Sequence, residues 1–282
     1  MSETSKPGRD DLVRYETREG VTTLTLNNPK RLNGWTMPML EALRAAMGRA
    51  AADEATQVVI LTGEDPYYCA GVNLSAVVKL DHPARLHAFI AEQNEQLFDL
   101  FISFPKPIII AVNGPAIGAS VTSATLCDAI IASERATFST PFAKLGVTPE
   151  GCSSVLFAKL MGEATAQRML GPEGWQPTGA EAVEAGLADQ VVPHEALLEA
   201  AHATAQTWIA EGYTRSYKAG MTREALQEIN ARESQQLAGA FLSAKFLRGQ
   251  FDFLWKKQKH APAMVFLGLL VTRPLWSQLL PA

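Results

Sequence analysis

The sequence predicts an α/β fold class, with a sheet-forming front part followed by an all-helical end. Three apolar runs, at residues 58–62, 107–112 and 129–132, have the length and composition of buried strands. Segments with helical spacing lie between the strands, and from residue 162 to about residue 250 the pattern is mostly helical. No fixed-period repeat and no low-complexity linker interrupts this order.

The front part begins with a strand and a helix. Residues 21–26 alternate in their second half as a half-buried strand does, and the Asn-Asn-Pro sequence at residues 27–29 ends that strand. Thr36 is suited to cap a helix that runs to about Ala51. The apolar face of this helix carries Leu40, Leu43 and Met47.

Further helices connect the buried strands and fill the end of the chain. Between the strands at residues 58–62 and 107–112, the apolar spacing predicts a helix. That helix is centred on Leu86, Phe89, Ile90, Leu97 and Phe101. Later in the chain, residues 178–182 open one helical segment and residues 226–247 form another.

Composition and charge restrict the function classes. The 282 residues are 47% hydrophobic, which provides a large buried core and excludes a disordered protein. A net charge of -4 without a long basic run argues against nucleic acid as a partner. The three cysteines, Cys69, Cys127 and Cys152, are too few and too irregularly spaced for a disulfide framework or a zinc site. We therefore expect a reducing compartment and no metal.

Neither end of the sequence predicts a targeting or membrane-spanning segment. Residues 1–11 are polar and lack the apolar core of a secretory signal. The apolar run at residues 264–271 is far shorter than the roughly 20 residues that a bilayer-crossing helix needs. We therefore expect a soluble, cytoplasmic protein.

Three segments carry residues suited to proton transfer. Residues 69–74 (Cys-Ala-Gly-Val-Asn-Leu) and 113–120 (Asn-Gly-Pro-Ala-Ile-Gly-Ala-Ser) each follow an apolar run, which places backbone N–H groups at a strand-to-helix turn. Residues 148–154 (Thr-Pro-Glu-Gly-Cys-Ser-Ser) place one carboxylate, Glu150, beside a turn. Two backbone amides stabilise a developing oxyanion, and a single carboxylate suits proton shuttling rather than water addition. Taken alone, the glycines also fit ordinary turns, and the glutamate also fits a solvent-facing helix start.

Four blocks carry a resemblance to a known superfamily. In order and spacing, residues 69–74, 107–119, 127–128 and 182–188 resemble the crotonase (enoyl-CoA hydratase/isomerase) superfamily over roughly residues 12–260. The glycine-bearing string of the second block, followed by the Thr-Pro-Glu-Gly-Cys-Ser-Ser segment, is similar more narrowly to the peroxisomal-type Δ3,Δ2-enoyl-CoA isomerases.

The resemblance implies a fold, an assembly and a substrate class. We expect a crotonase-like spiral of ββα units at residues 12–200 and a C-terminal helical region at residues 201–282 that builds a trimer. The assembly would be a homotrimer or a dimer of trimers. The substrate would be an acyl-CoA, so coenzyme A is part of the substrate and no separate cofactor is expected.

The resemblance also implies catalytic roles. The backbone amides of Val72 and Ala119 correspond to the two oxyanion donors of the family, and Glu150 stands where the resembled isomerases have their base. The two glutamates of the family's hydratases correspond to Thr122 and Phe142, neither of which accepts a proton from water. We expect an apolar acyl pocket to raise the pKa of Glu150, which suits a group that takes and returns a proton.

Substrate-binding residues follow from the same resemblance. They are Lys30, Leu32, Ala70, Gly71, Asn73, Leu74 and Gly118. The backbone of residues 70–74 is expected to line the adenine and pantetheine channel, with Lys30 and Leu32 at its mouth. A lysine of the run at residues 256–259 is a weaker candidate for contact with the phosphates, because charge runs are usually solvated.

The resulting hypothesis is an enzyme that moves the double bond of a 3-enoyl-CoA to position 2. Two alternatives stay open: another crotonase reaction on a CoA thioester, such as hydration, and a crotonase-like module that binds CoA or a protein without turnover. Glu150 argues against the second alternative, because a binding module has no need of that carboxylate. Cys152 as a nucleophile is disfavoured, since no histidine lies near it in sequence.

The end of the chain, at residues 264–282, goes beyond the usual pattern of the family. It is too apolar to remain exposed to water. We expect it to pack at a subunit interface, with a membrane surface as the alternative.

Overall fold

A six-stranded sheet organises the front part of the structure, a computed structural model that describes residues 12–73 and 81–280. The strands in these ranges are β1 (Val13–Arg18), β2 (Val21–Leu26), β3 (Val58–Gly63), β4 (Ile108–Val112), β5 (Ala116–Ile117), β6 (Ala129–Ser133), β7 (Phe138–Ser139) and β8 (Gln190–Val192). The large sheet has the order β1-β2-β3-β4-β6-β8, and β5 pairs with β7 in a small separate sheet. Leu74, expected to bind substrate, lies outside the described residues.

Helices cover the sheet and form the end of the chain. In the described ranges they are α1 (Met37–Ala52), α2 (Pro83–Ile102), α3 (Ala119–Ala124), α4 (Phe142–Leu145), α5 (Ser153–Met161), α6 (Glu163–Leu170), α7 (Gly179–Glu184), α8 (Leu197–Glu211), α9 (Arg223–Phe241), α10 (Ala244–Lys256) and α11 (His260–Trp276). The predicted α/β class with a helical end is confirmed. Thr36 caps α1 as predicted, accepting a hydrogen bond from the Met39 amide at 3.4 Å.

The length of each connection decides the direction of neighbouring strands. A two-residue turn, Glu19-Gly20, joins β1 to β2, and φ values of 50° and 83° there suit an antiparallel hairpin. Helical connections precede β3, β4 and β8, and β2, β3, β4, β6 and β8 pair in parallel. The sequence did not predict β1, because its side chains are mostly polar and exposed.

The sheet has apolar layers on both faces. Val58 and Ile60 of β3 pack with Leu197 and the rest of the buried face of α8. Val59 and Leu61, which alternate with them, join the main core on the other side. Since both faces are covered, β3, β4 and β6 are wholly buried and read as continuous apolar runs in the sequence.

The helical end packs on α2. Helix α9 lies along α2, and α10 and α11 pack against each other. The prediction of a single helix at residues 226–247 is wrong, because one helix ends at Phe241 and the next begins at Ala244. Ser243 starts the new helix α10 by accepting a hydrogen bond from the Phe246 amide at 3.2 Å.

The apolar end of the chain covers its own helices with one face of α11. Phe266 and Leu269 are buried in a cluster with α9 and α10, whereas Val271 and Leu275 are 69% and 82% exposed. Contact of the exposed face with another subunit stays a prediction. No helix in the described ranges combines the length and apolar character that crossing a membrane requires.

Candidate active site

A cavity of about 270 Å³ lies among α1, α2 and α9 and the turns at residues 70–73, 117–119 and 141–150. Apolar side chains form most of its wall, among them Trp35, Leu40, Ile90, Leu97, Leu237 and Phe241. Helix α9 of the C-terminal helical region thus forms one side of the cavity, and the turns that follow the strands form another. The apolar wall suits a hydrocarbon group.

The first backbone amide at the cavity belongs to Val72. The Trp35 amide donates to the Gly71 carbonyl at 2.8 Å, and the Asn73 amide donates to the Trp35 carbonyl at 3.1 Å. This parallel bridge turns the Val72 N–H away from Trp35. Gly71 has a φ of +78°, and a Cβ there would lie 2.5 Å from the Ile117 carbonyl oxygen, so the turn requires glycine.

The second amide belongs to Ala119, the first residue of α3. Gly118 before it adopts φ 62° and ψ −124°, a conformation that L side chains rarely adopt. The Ser120 hydroxyl fixes this turn: it accepts from the Ile117 amide at 2.9 Å and lies 3.2 Å from the Cys69 carbonyl oxygen. Because Ala119 begins a helix, its N–H has no intrahelical acceptor.

The fold brings these two amides together. A parallel bridge joins Cys69 to Ala116, and the Ile117 amide donates to the Cys69 carbonyl at 3.0 Å. Val72 and Ala119 both line the cavity. Within residues 12–73 and 81–280, no group accepts a hydrogen bond from either N–H. Two such N–H groups on one cavity are what an oxyanion hole requires.

Glu150 lies in the same cavity, on the turn between α4 and α5. Gly151 and Cys152 follow it with positive φ values of 64° and 65°, which bend the chain into α5. The side chain of Glu150 is buried, and no described residue forms a hydrogen bond or ion pair with its carboxylate. Burial first, and repulsion from Glu233 second, raise the pKa of Glu150 to about 8. A carboxyl group with this pKa can both accept and donate a proton near neutral pH.

Glu233 of α9 is a site residue that the sequence analysis missed. It is fully buried and accepts hydrogen bonds from the amides of Cys152 and Ser154 at 2.7 and 3.0 Å, and from the Ser154 hydroxyl. A signal was available, because Glu233 occupies the same helical stripe as Leu226, Ile229 and Leu237. A charged residue at such a core position is unusual and indicates a specific partner.

A second carboxylate lines the cavity as well. Glu41 of α1 is half-buried in its wall, and Glu41 and Glu150 are the carboxylates that the described cavity lining contains. Phe142 lines the cavity, whereas Thr122 donates a hydrogen bond to the Ala119 carbonyl at 3.3 Å inside α3. A Cβ at Gly151 would lie 2.8 Å from the Thr122 hydroxyl, so the Thr122 side chain packs against the turn that carries Glu150.

The expected substrate-binding residues divide into two groups. Ala70, Gly71, Asn73 and Gly118 line the cavity together with the two amides. Lys30 and Leu32 lie outside its wall, in and after a short helical turn at residues 29–31. Leu32 nevertheless adjoins the cavity, because its carbonyl accepts from the Ala70 amide at 2.9 Å.

The remaining sequence candidates are apart from the cavity wall. Residues 256–259 lie at the end of α10, outside the lining of the cavity. The Cys152 thiol is buried and donates to the Leu226 carbonyl at 3.2 Å; burial and Glu233 raise the pKa of this thiol, which makes it a poor nucleophile. No group of acidic, histidine or cysteine side chains in the described ranges could hold a metal ion.

The sequence is similar to known proteins over most of its length. The sequence profile of a family described as Enoyl-CoA hydratase/isomerase matches residues 16–260. Enoyl-CoA delta isomerase 2 of Homo sapiens is 34% identical over 270 residues, which cover 90% of this chain and 67% of that protein.

Solved structures show the same fold. An enoyl-CoA hydratase/isomerase from Pseudoalteromonas atlantica T6c superposes with a TM-score of 0.70 at 25% identity, covering 87% of this chain and 97% of the other. An enoyl-CoA hydratase from Mycobacterium tuberculosis H37Rv has a TM-score of 0.58 at 32% identity, covering 82% and 92%. The similarity thus extends to proteins named for either activity.

Proposed function

This chain belongs to the enoyl-CoA hydratase/isomerase family, also called the crotonase family, and from that premise we propose that it is an enoyl-CoA delta isomerase. It moves the double bond of a 3-enoyl-CoA to position 2 by transferring one proton from C2 to C4. The observation that carries the proposal is the joint position of Glu150, the Val72 amide and the Ala119 amide on one apolar cavity.

The first step is removal of a proton from C2 of the thioester. Glu150 accepts this proton, the C2–H electrons form the C1–C2 double bond of a dienolate, and negative charge develops on the thioester oxygen. The N–H groups of Val72 and Ala119 donate to this oxygen, and loss of one such donor typically costs about 3 kcal/mol in the transition state. The apolar wall strengthens both interactions by excluding water.

The second step returns the proton to the other end of the dienolate. Glu150 donates it to C4, where the electrons of the C3–C4 double bond form the new C4–H bond. The electrons of the C1–C2 double bond form the C2–C3 double bond, and the oxyanion returns to the thioester carbonyl. The same carboxylate accepts the proton and returns it, so neither water nor a separate cofactor takes part. Coenzyme A is part of the substrate. The raised pKa of Glu150 supports this role, since the group holds the proton between the two steps.

Backbone groups at residues 70–73 are proposed to line the path of the CoA moiety, because Ala70, Gly71 and Asn73 lie in the cavity wall. Leu32 would extend this path, because its carbonyl accepts a hydrogen bond from the Ala70 amide. Lys30, in the short helical turn just before Leu32, is proposed to stand at the mouth of the path. The apolar side chains of α2 and α9 would hold the acyl chain. The trimeric assembly and the cytoplasmic location stay predictions.

Hydration of a 2-enoyl-CoA is the second candidate. It is favoured by the presence of Glu41 as another carboxylate on the cavity and by the similarity to proteins named hydratases. It is disfavoured because Thr122 and Phe142 stand where the family's water-activating glutamates are expected, and neither side chain can accept a proton from water.

One assay separates the candidates. Purified protein is incubated in parallel with 3-hexenoyl-CoA and 2-hexenoyl-CoA, and the products are separated by chromatography. Isomerisation yields 2-hexenoyl-CoA from the first compound, hydration yields 3-hydroxyhexanoyl-CoA from the second, and a binding module yields neither. Glu150→Gln should lower isomerase turnover by roughly two to four powers of ten while the fold is kept.

The matched comparison is Glu41→Gln, which neutralises the other carboxylate of the cavity wall. The single-base mechanism expects turnover of this variant to stay close to that of the wild type. Unchanged turnover in Glu150→Gln, or loss of turnover in Glu41→Gln with an active Glu150→Gln, would exclude Glu150 as the base.

A further inference from the structure

The turn that carries Glu150 is fastened by a buried carboxylate from a distant part of the chain. Glu233 Oε2 accepts from the Cys152 amide at 2.7 Å, and Glu233 Oε1 accepts from the Ser154 amide at 3.0 Å and from the Ser154 hydroxyl. The two residues of the first contact are 81 positions apart in the sequence. Helix α9 thus determines where α5 begins.

Local geometry explains why this turn needs an external acceptor. Cys152 has a φ of 65° and provides no side-chain cap for α5. The first amides of a helix lack intrahelical acceptors, and a carboxylate near that end is stabilised by the helix dipole. Glu233 therefore supplies the missing cap, and it does so two residues beyond Glu150.

From this geometry we infer that Glu233 is a positioning residue for the proposed isomerisation. It holds the turn at residues 150–154, and its negative charge beside the Glu150 carboxylate strengthens Glu150 as a base. The inference rests on the proposed function, because the base strength of Glu150 matters only if this residue moves the proton. Glu233 itself is not among the residues that line the cavity, so it acts through the turn.

The charges around the turn support this role. Charged and titratable groups on the elements around the turn include Glu233 and Arg232 on α9, Cys152 on the turn, Glu41 and Arg44 on α1, and His87 on α2. After burial, Glu233 is the cause that raises the pKa of Glu150. Burial also raises the pKa of Glu233, but hydrogen bonds from Ser154 and Cys152 and the charge of Arg232 oppose that rise. Burial lowers the pKa of His87 and raises that of the Cys152 thiol.

Three substitutions separate the effect of the Glu233 charge from the effect of the hydrogen bonds that hold the turn. Glu233→Gln removes the charge at nearly equal size, although its amide nitrogen cannot accept one of the three hydrogen bonds. Ser154→Ala removes the hydroxyl contact from the same anchor and leaves the Glu233 charge in place. Glu233→Asp keeps the charge but shortens its reach. Circular dichroism of each variant tests whether it is folded.

The test records the pH dependence of kcat/KM for 3-hexenoyl-CoA together with an infrared titration of the protonated carboxyl band. The band that belongs to Glu150 is the one lost in Glu150→Gln. In wild type both midpoints are expected near pH 8, the pKa of Glu150. In Glu233→Gln both midpoints should move toward acid by about one pH unit or more. The plateau rate should fall by up to about tenfold for each pH unit of this shift, because a weaker base removes the proton more slowly.

Ser154→Ala and Glu233→Asp are expected to keep their midpoints near the wild-type value while their plateau rates fall. An unchanged midpoint in folded Glu233→Gln overturns the inference. If Glu233→Gln does not fold, Glu233→Asp provides the test. Its charge remains, so a fall in its titration midpoint below that of the wild type would overturn the inference. Failure of the proposed function is distinct: wild type would then show no isomerisation, whereas the infrared titration would still report whether Glu233 acts on Glu150.

Discussion

Replacing Glu150 with glutamine is expected to stabilise the folded protein at alkaline pH. Burial first, and repulsion from Glu233 second, raise the pKa of Glu150 from 4.5 to about 8. Because the folded-state pKa exceeds the unfolded-state pKa, the folded protein binds more protons between these two values. The free energy of unfolding therefore falls as pH rises through this window.

The structure sets an upper limit on this effect. One pKa unit corresponds to about 1.36 kcal/mol, so a rise from 4.5 to about 8 removes at most about 5 kcal/mol of stability between pH 4.5 and pH 8. Glutamine is neutral at every pH and resembles the protonated acid in size and shape. The variant and the wild type should therefore be similarly stable near pH 4.5, and the variant should be more stable by up to about 5 kcal/mol above pH 8.

Urea unfolding followed by tryptophan fluorescence measures the prediction at a series of pH values from 4.5 to 9. The difference in unfolding free energy between the two proteins is taken at each pH, so that titrations common to both cancel. A difference that does not grow with pH would refute the reasoning, as would a wild type more stable than the variant at pH 9. A stabilised but inactive variant would show that the site keeps its carboxylate at a cost in stability.

Three further predictions follow from the same structure. Chromatography of wild-type reactions with 2-hexenoyl-CoA should show 3-hydroxyhexanoyl-CoA at no more than a trace level, and this product as the main one would overturn the isomerase assignment. Gly71→Ala should lose more than about 2 kcal/mol of stability and most turnover, because its φ of +78° is strained for alanine and its Cβ would meet the Ile117 carbonyl at 2.5 Å. Gly118→Ala is the matched comparison, because only φ is unfavourable there and no atom lies within 4 Å of the added Cβ. Denaturant unfolding in which Gly118→Ala loses more stability than Gly71→Ala would contradict the packing argument. Charged substitutions at Val271 and Leu275, which are 69% and 82% exposed, should leave the subunit folded but weaken the expected trimer in light scattering; an unaltered assembly would exclude this face of α11 as the interface.

Much of the fold was readable from the sequence because the signals are local. The buried strands β3, β4 and β6 appear as short apolar runs, and Thr36 indicates the start of α1 because its side chain caps the helix. Gly71 and Gly118 mark turns where positive φ is needed, which is a property of the residue itself. The edge strand β1 and the break before Ser243 were missed, since exposed polar strands and second caps within a helical pattern carry weak signals.

The candidate site was readable only in part, for a reason that lies in its chemistry. The sequence determined which residues offer two backbone amides and one carboxylate, and these do line one cavity. The tertiary structure alone decided that Glu150 is buried, that α9 closes the cavity, and that Glu233 reaches the turn from 81 positions away. Local sequence fixes backbone conformation and residue type, whereas the strength of a base depends on burial and on charges that only folding brings close.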